Sequence, residues 1–199
     1  MKNLKILFLG NSKSPVYLWL KKIGEDIIFA SEPISEDFVK KNKFNFLVSY
    51  GYRYILKKKI LKLFGECAIN LHISYLPYNR GSDPNFWSFM DNTKKGVTIH
   101  KINEGIDTGN IIVQKEIVFD NIEEQTLSST YNILQSEIQS LFFENWDLIK
   151  RKRISSFPQK ESGSFHQKKD MLKYEFLLKK NGWDTKVTTL LINKFCNEN

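Results

Sequence analysis

Cysteine is scarce in this chain of 199 residues. The two cysteines, Cys67 and Cys196, are far apart and form no Cys-x-x-Cys pair, which excludes a disulfide framework and gives no sign of a structural zinc site. Long apolar runs are also missing, since none approaches the ~18 residues that a membrane-spanning helix needs. Because a strand-like run already begins at residue 4 and no small-residue cleavage site follows an extended apolar stretch, we expect no cleavable leader. We therefore expect a reduced, cytoplasmic protein with no membrane partner.

Phosphate-binding fingerprints are absent as well, because the chain contains neither Gly-x-Gly-x-x-Gly nor a Walker sequence. A weaker signal is the turn Gly10-Asn11-Ser12, which lies between the apolar run at 4–9 and a predicted helix at 15–23. Free backbone N–H groups at such a helix start can bind a phosphate, which makes Asn11 and Ser12 candidate substrate-binding residues. The alternative is an ordinary turn from a strand into a helix.

The net charge of +8 is unevenly distributed along the chain. Residues 150–180 contain ten of the Lys and Arg residues against three acidic ones. Such a segment could attract a phosphorylated or polyanionic ligand, although a solvated, Lys-rich face is the alternative. No nucleic-acid-binding motif accompanies the charge, so we expect no nucleic-acid partner.

Apolar runs alternate with helical patterns through most of the chain. Strands are predicted at 4–9, 26–30, 44–50, 68–73, 96–102 and 110–118, and helices at 15–23, 35–43, 57–64, 84–90 and 123–150. This alternation is typical of an α/β domain with a mostly parallel, twisted sheet flanked by helices. We predict a single domain, in which residues 1–150 form the catalytic part and 151–199 form a basic, largely helical C-terminal appendage with helices near 170–180 and up to 195.

Two polar side chains interrupt the apolar run at 68–73. Asn70 and His72 stand two residues apart, a spacing that places both on the same face of a strand. An amide and an imidazole on an apolar strand are costly unless something satisfies them. Asp107 follows in a loop bracketed by glycines, and the three groups together could form an acyl-transfer site. Taken singly, Asn70 could end a strand, His72 could be a satisfied half-buried histidine and Asp107 could form a turn.

The stretch from Cys67 to Ile112 resembles the 10-formyltetrahydrofolate-dependent formyltransferases. The matching motifs, in the family's order and spacing, are Asn70-x-His72-x-Ser74-x-Leu76-Pro77, Arg80-Gly81, Gly96-Val97-Thr98-Ile99 and Glu104-Gly105-Ile106-Asp107-Thr108-Gly109. The resemblance implies a single Rossmann-like formyltransferase domain that takes 10-formyltetrahydrofolate as its co-substrate and needs no metal. It also implies that Asn70, His72 and Asp107 are the catalytic residues.

These three residue types suit formyl transfer to an amine, which passes through a tetrahedral species with a developing oxyanion. Asn70 can donate its amide hydrogens to that oxygen, and His72 can stabilise the same oxygen or shuttle protons. Asp107 can orient the imidazole or accept the proton of the amine. No Ser or Cys nucleophile is required, because the amine of the substrate is the nucleophile.

The resemblance also implies where the folate binds. In the family, the loop after the third strand wraps the pterin ring, largely through backbone groups. This role falls here on Tyr54, Ile55 and Leu56, with Gly105 and Ile106 as further folate contacts. The alternative for the first loop is a segment anchored by its aromatic side chains.

The amine substrate is indicated by a branch of the family that formylates amino groups on nucleotide-linked deoxysugars of surface polysaccharide. Its elements are similar to residues 76–85, 163–166 and 182–185 of this sequence, which makes Arg80, Gly81 and His166 candidate substrate-binding residues. A methionyl-tRNA enzyme would need a further RNA-binding domain, for which the tail is too short. A glycinamide ribonucleotide enzyme and an inactive folate- or nucleotide-binding module remain alternatives. His100 is expected to be structural or to line the pocket.

Apolar residues of the tail raise the question of a homodimer. They could form a dimer seam, or they could simply cover the sheet. The residues are Leu177, Leu178, Leu190, Leu191, Ile192 and Phe195.

Overall fold

The fold begins with an alternation of short strands and helices. The computed structural model describes residues 4–160 and 162–197; the side chains of 194–197, with Phe195 and Cys196 among them, lie outside the described set. The first seven elements are β1 (Lys5–Gly10), α1 (Pro15–Lys22), β2 (Asp26–Ala30), α2 (Glu36–Asn42), β3 (Phe46–Tyr50), α3 (Lys58–Phe64) and β4 (Ala68–His72). Their bounds agree with the predicted ones to within two residues. Local signals explain this agreement, because Pro15 begins α1 and Oγ of Ser35 accepts from N of Phe38 at the start of α2.

The second half of the chain departs more from the prediction. Its elements are β5 (Arg80–Gly81), α4 (Pro84–Met90), β6 (Gly96–Lys101), β7 (Ile111–Glu116), α5 (Leu127–Lys150), β8 (Phe165–His166), α6 (Glu175–Leu178) and α7 (Val187–Asn197). Helix α5 begins later than predicted because Thr126 and Ser129 form reciprocal side-chain to backbone hydrogen bonds. The helix predicted at 170–180 is instead a 3-10 helix over Lys168–Tyr174 followed by α6, and a capping box of Gln167 and Asp170 starts it early.

Six strands form one sheet in the order β2-β1-β3-β4-β6-β7. Strand β1 pairs in parallel with both β2 and β3, and β3 pairs in parallel with β4. Strands β6 and β7 run antiparallel, because N of Lys101 donates to O of Asn110 at one end and N of Ile117 donates to O of Lys95 at the other. The predicted α/β class, with a mostly parallel sheet flanked by helices, is confirmed.

The described residues divide into two compact units, each with its own apolar core. The first unit contains 4–72, 99–113 and 142–158, and the second contains 73–98, 114–141, 159–160 and 162–197. Buried residues of the first core are Leu7, Leu9, Val39, Phe44, Leu47, Ile60, Phe64 and Ala68. Those of the second are Phe86, Trp87, Phe89, Met90, Leu127, Val187 and Leu190. The proposed division at residue 150 stays a prediction.

The second core accounts for part of the predicted dimer seam. Leu190 is fully buried in it, and Leu177 and Leu178 pack against it, so these three residues cover a core of their own unit. Ile192, in contrast, is 62% exposed. None of the described helices has the length and apolar character needed to cross a membrane.

Candidate active site

The three predicted catalytic side chains meet in the first unit. Nδ2 of Asn70 donates to Oδ1 of Asp107 at 3.3 Å. Nδ1 of His72 lies 3.7 Å from Oδ2 of the same carboxylate. His72 is buried and the side chain of Asp107 is only 13% exposed. An amide donor, an imidazole and a carboxylate are therefore held together in a largely desolvated setting, where electrostatic interactions are stronger than in water.

Strand β4 carries Asn70 at its middle and His72 at its carboxyl end. In the parallel pairing of β3 with β4, Asn70 lies opposite Ser49, one residue before the carboxyl end of β3. Residues at these ends surround the usual ligand site of an open parallel sheet. Past β6, N of Ile102 donates to O of Ala68, which holds the start of the next loop against β4. From there the loop reaches back to the middle of β4, where Nδ2 of Asn70 donates to Oδ1 of Asp107.

The loop at 103–109 holds Asp107 through a local hydrogen-bond network. Oδ1 of Asn103 accepts from N of Gly105 at 3.1 Å and from Oγ1 of Thr108 at 2.8 Å. Asp107 itself has a left-handed backbone conformation, with φ of 52°, which Asp tolerates better than most residues. A Cβ atom on Gly109 would collide with the carbonyl group of Lys101, so only glycine fits this close approach. The acidic-Gly-x-Asp-Thr-Gly motif thus describes a tightly constrained turn.

His100 is a member of this cluster that sequence reasoning did not include among the site residues. Nδ1 of His100 lies 2.8 Å from O of Lys101, and because a carbonyl oxygen only accepts, Nδ1 carries a hydrogen. In the neutral ring, Nε2 is then an acceptor, and Nδ2 of Asn70 lies 3.2 Å from it. Nε2 of His100 is also 3.4 Å from Oδ1 of Asp107. The available signal was an imidazole in a buried strand directly after the Gly96–Ile99 motif, where a polar partner is required.

The predicted folate loop at 54–56 is anchored at one point and exposed at another. Oη of Tyr54 donates to Oε2 of Glu32 at 3.1 Å, and Oη of Tyr52 donates to O of Glu32 at 3.0 Å. The bond to Glu32 raises the pKa of Tyr54, and burial raises the pKa of Tyr52. Ile55 is 76% exposed, whereas Leu56 packs against the core of the first unit. The loop is therefore anchored by its aromatic side chains, and Ile55 is left exposed.

Gly105 and Ile106 precede Asp107 in the constrained turn, and Ile106 is 42% exposed.

The turn at Asn11 and Ser12 is closed by its own hydrogen bonds. Oδ1 of Asn11 accepts from N of Lys13 at 2.8 Å, and O of Asn11 accepts from N of Ser14 at 3.0 Å. The folate and phosphate roles of these residues stay predictions.

The remaining predicted residues, Arg80, Gly81 and His166, lie together in the second unit. Strands β5 and β8 form a short parallel pair in which Gly81 is opposite His166. Nε and Nη2 of Arg80 both donate to Oε1 of Gln159, and Nη1 donates to O of Ser162. The guanidinium group thus holds Gln159 and Ser162. Contact between Arg80 and a substrate stays a prediction.

Among the residues that the structure describes, no group of three or more His, Cys, Asp and Glu side chains could hold a metal ion. The polar cluster of Asn70, His72, His100 and Asp107 instead offers donors for an oxyanion and an acceptor for a proton.

Several known proteins are similar to this chain in sequence. Residues 29–144 match the family model described as Formyl transferase. A methionyl-tRNA formyltransferase of Thermodesulfovibrio yellowstonii is 38% identical over an alignment of 131 residues that covers 62% of this chain and 41% of that protein. A dTDP-4-amino-4,6-dideoxyglucose formyltransferase of Mycobacterium bovis is 33% identical over 106 residues, 53% of this chain and 44% of that protein. This chain thus covers less than half of each of these two relatives.

A solved structure is similar over nearly the whole chain. The formyltransferase PseJ from Anoxybacillus kamchatkensis, in complex with UDP-4,6-dideoxy-4-formamido-L-AltNAc and tetrahydrofolate, is 43% identical to this chain. The similarity covers 96% of this chain and 99% of PseJ, with a TM-score of 0.89.

Proposed function

Because the chain belongs to the formyl transferase family, we propose that it is an N-formyltransferase that uses 10-formyltetrahydrofolate. The observation that carries this proposal is the meeting of Asn70, His72 and Asp107, with Nδ2 of Asn70 at 3.3 Å and Nδ1 of His72 at 3.7 Å from the carboxylate. A binding module has no need of an oxyanion donor beside a proton acceptor, so this arrangement favours catalysis over an inactive protein.

We propose a nucleotide-linked amino-deoxysugar as the formyl acceptor, and specifically a UDP-linked 4-amino-4,6-dideoxysugar. The support is the 43% identity to PseJ over 96% of this chain, because PseJ was solved with a UDP-linked 4-formamido sugar and tetrahydrofolate. Surface polysaccharide synthesis is the proposed use of the product, and the cytoplasm the proposed location.

The reaction forms a bond between the amine nitrogen of the sugar and the formyl carbon, and it breaks the bond between that carbon and N10 of the folate. Asn70 donates an amide hydrogen to the formyl oxygen as negative charge develops there. Asp107 accepts the proton that the amine loses, and the same proton returns to N10 of the departing folate, so that charge balances. His72, beside the other oxygen of Asp107, orients the carboxylate and donates toward the formyl oxygen.

Binding the formyl group requires Asn70 to exchange a partner. Its two amide hydrogens face Nε2 of His100 and Oδ1 of Asp107. When the hydrogen that faces Asp107 turns to the formyl oxygen, Oδ1 of Asp107 can use the vacated lone pair to accept the proton of the amine. The two events therefore support each other, because the carboxylate becomes a better acceptor when the oxyanion donor is engaged.

The experiment that tests the proposal is formyl transfer by the purified protein. 10-Formyltetrahydrofolate would be supplied with a UDP-linked 4-amino-4,6-dideoxysugar, the dTDP-linked analogue, or glycinamide ribonucleotide, and the products separated by liquid chromatography and weighed by mass spectrometry. We expect a formamido product from the UDP-linked sugar. If only glycinamide ribonucleotide yields a formylated product, the protein is instead an enzyme of purine synthesis.

Asp107→Asn separates an enzyme from an inactive binding module. We expect the variant to bind folate as the wild type does while forming no formamido product. A wild type that binds folate and transfers no formyl group to any of the three amines would overturn the proposal in favour of the binding module.

A further inference from the structure

The second unit contains a carboxylate–imidazole pair outside the proposed catalytic cluster. Nε2 of His166 lies 2.7 Å from Oδ2 of Asp91. The imidazole ring is stacked flat on the indole of Trp87, with ring centroids 3.9 Å apart and planes within 4°. The side chain of His166 is 16% exposed and that of Asp91 is 29% exposed, so the pair is neither solvent-bathed nor sealed in the core.

The pair is rigidly supported on both sides. Trp87 is a buried member of the second core, and Tyr174 meets its ring edge-on at 5.5 Å. On the other side, Nδ2 of Asn79 donates to Oδ2 of Asp91, and Oδ1 of Asn79 accepts from Oγ1 of Thr93 at 2.7 Å. Asn79 is fully buried. A surface ion pair would not need such a chain of supports.

The hydrogen bonds determine which nitrogen of His166 is available. A carboxylate only accepts, so Nε2 carries the hydrogen that points at Asp91. Nδ1 has no hydrogen-bond partner among the residues that the structure describes. When the ring is protonated, Nδ1 is a second N–H donor, and the geometry leaves it available for a ligand.

Positive charge accompanies His166 along the chain. Lys168 and Lys169, two and three residues after it, begin the 3-10 helix, and both are exposed. Burial raises the pKa of Asp83, and the positive charge of Lys168 partly opposes this effect. An N–H donor in a lysine-rich stretch of the chain suits an anion better than a neutral sugar hydroxyl.

We propose that His166 binds the diphosphate of the nucleotide-linked substrate through Nδ1–H, and that Asp91 is the positioning residue that holds the imidazole for this contact. The inference rests on the proposed function, which supplies a diphosphate-containing substrate. Trp87 forms the platform against which the ring is held flat, so that the N–H direction is set before the substrate arrives.

Two substitutions of His166 distinguish this role from a purely structural one. The amide nitrogen of Gln overlaps Nε2 of His, so His166→Gln retains the bond to Asp91 and loses the donor at Nδ1. The amide nitrogen of Asn overlaps Nδ1, so His166→Asn loses the bond to Asp91 and retains that donor. If the pair only fastens β8, His166→Gln behaves as the wild type and His166→Asn is the damaged variant. The proposal expects the reverse order for nucleotide binding.

The binding measurement is calorimetric titration with UDP and with uridine, which lacks the diphosphate. We expect His166→Gln to weaken UDP binding about 10-fold or more, the effect of one charge-assisted hydrogen bond, and to leave uridine binding unchanged. Equal losses for UDP and uridine, or no loss for either, would overturn the proposal. A wild type that binds no UDP would overturn it as well.

Asp91→Asn tests the positioning role, with Glu137→Gln as the matched control. Both changes remove one carboxylate charge from the second unit, and Glu137 is paired with the exposed Lys115. We expect Asp91→Asn to raise KM for the nucleotide sugar several-fold with kcat unchanged, and Glu137→Gln to change neither. A fall in kcat with unchanged KM would contradict the proposal, whereas absence of formyl transfer in the wild type would instead count against the proposed function.

Discussion

Nδ2 of Asn70 lies 3.2 Å from Nε2 of His100, although the two residues are on different strands. Since Nδ1 of His100 is bound to the carbonyl oxygen of Lys101, Nε2 is left as an acceptor for the amide. Nε2 of His100 and Oδ1 of Asp107 together orient the amide of Asn70, so that its NH2 group, and not its oxygen, faces these two acceptors. His100 is therefore a positioning residue for the proposed oxyanion donor.

Asn70→Ala removes that donor, and we expect kcat for formyl transfer to fall by about 10²–10³-fold, the loss seen when one oxyanion-hole donor is deleted. KM for the nucleotide sugar should change little, because the interaction acts in the transition state. Steady-state kinetics would measure both constants. Asn181→Ala, at an exposed position of the second unit, is the control that also deletes an amide. Equal kinetics in the two variants would contradict the role of Asn70.

His100→Leu keeps the size of the side chain roughly but removes the acceptor that orients Asn70. We expect kcat to fall by about 2- to 12-fold, which corresponds to one neutral hydrogen bond of about 0.5–1.5 kcal/mol. His100→Gln can offer an amide oxygen to Asn70, so it should recover part of the loss. If His100→Gln and His100→Leu are equally impaired, His100 acts through packing and not through orientation.

Gly109→Ala places a methyl group against the carbonyl group of Lys101, so the turn that carries Asp107 must shift. We expect the variant to lose activity and thermal stability together. Gly24→Ala is a suitable comparison, because Gly24 has φ of 82° and no heavy atom within 4 Å of the added Cβ. That control should cost about 1–2 kcal/mol of unfolding free energy from backbone strain and leave kcat unchanged. Full activity in Gly109→Ala would show that Asp107 tolerates a displaced turn.

Tyr52 makes part of the stability depend on pH. Burial raises the pKa of its hydroxyl above the ordinary value of 10.0, so the contribution of the neutral group is present below about pH 10 and is lost as the pH rises through the raised pKa. We expect the wild type to lose unfolding free energy above about pH 10 more steeply than Tyr52→Phe. Urea denaturation over a pH series would measure the two slopes, and parallel slopes would contradict the assignment.

Arg80 offers a direct test of substrate binding against structure. Because two of its nitrogens donate to Oε1 of Gln159, Gln159→Ala removes the same contact while keeping the guanidinium. If the role is structural, both Arg80→Ala and Gln159→Ala should increase amide hydrogen exchange in 162–166 and alter KM equally. If Arg80 binds the substrate, as the resemblance implied, only Arg80→Ala should raise KM. Kinetics of the two variants, side by side, decides between them.

Local patterns were sufficient for the first half of the fold and for two of the proposed catalytic residues. Strands and helices up to β4 follow from apolar runs, Pro15 and the cap at Ser35, all of which act within a few residues. Asn70 and His72 share a strand, so their common face follows from the two-residue period alone. The resemblance added Asp107, because a motif can report a non-local partner that periodicity does not show.

Contacts between distant parts of the chain were decided by tertiary structure. The pairing of β5 with β8 joins Gly81 to His166, and two-residue strands of this kind have no periodicity to detect. Likewise, His166 meets Asp91, 75 positions away, and Asn70 meets His100, 30 positions away, only because packing brings their elements together. The sequence by itself determined the α/β order and the residue types of the site, since these depend on local spacing. Packing between segments that are distant in the chain decided which polar groups form hydrogen bonds with one another. It also decided which nitrogen of each histidine is available to bind a further group.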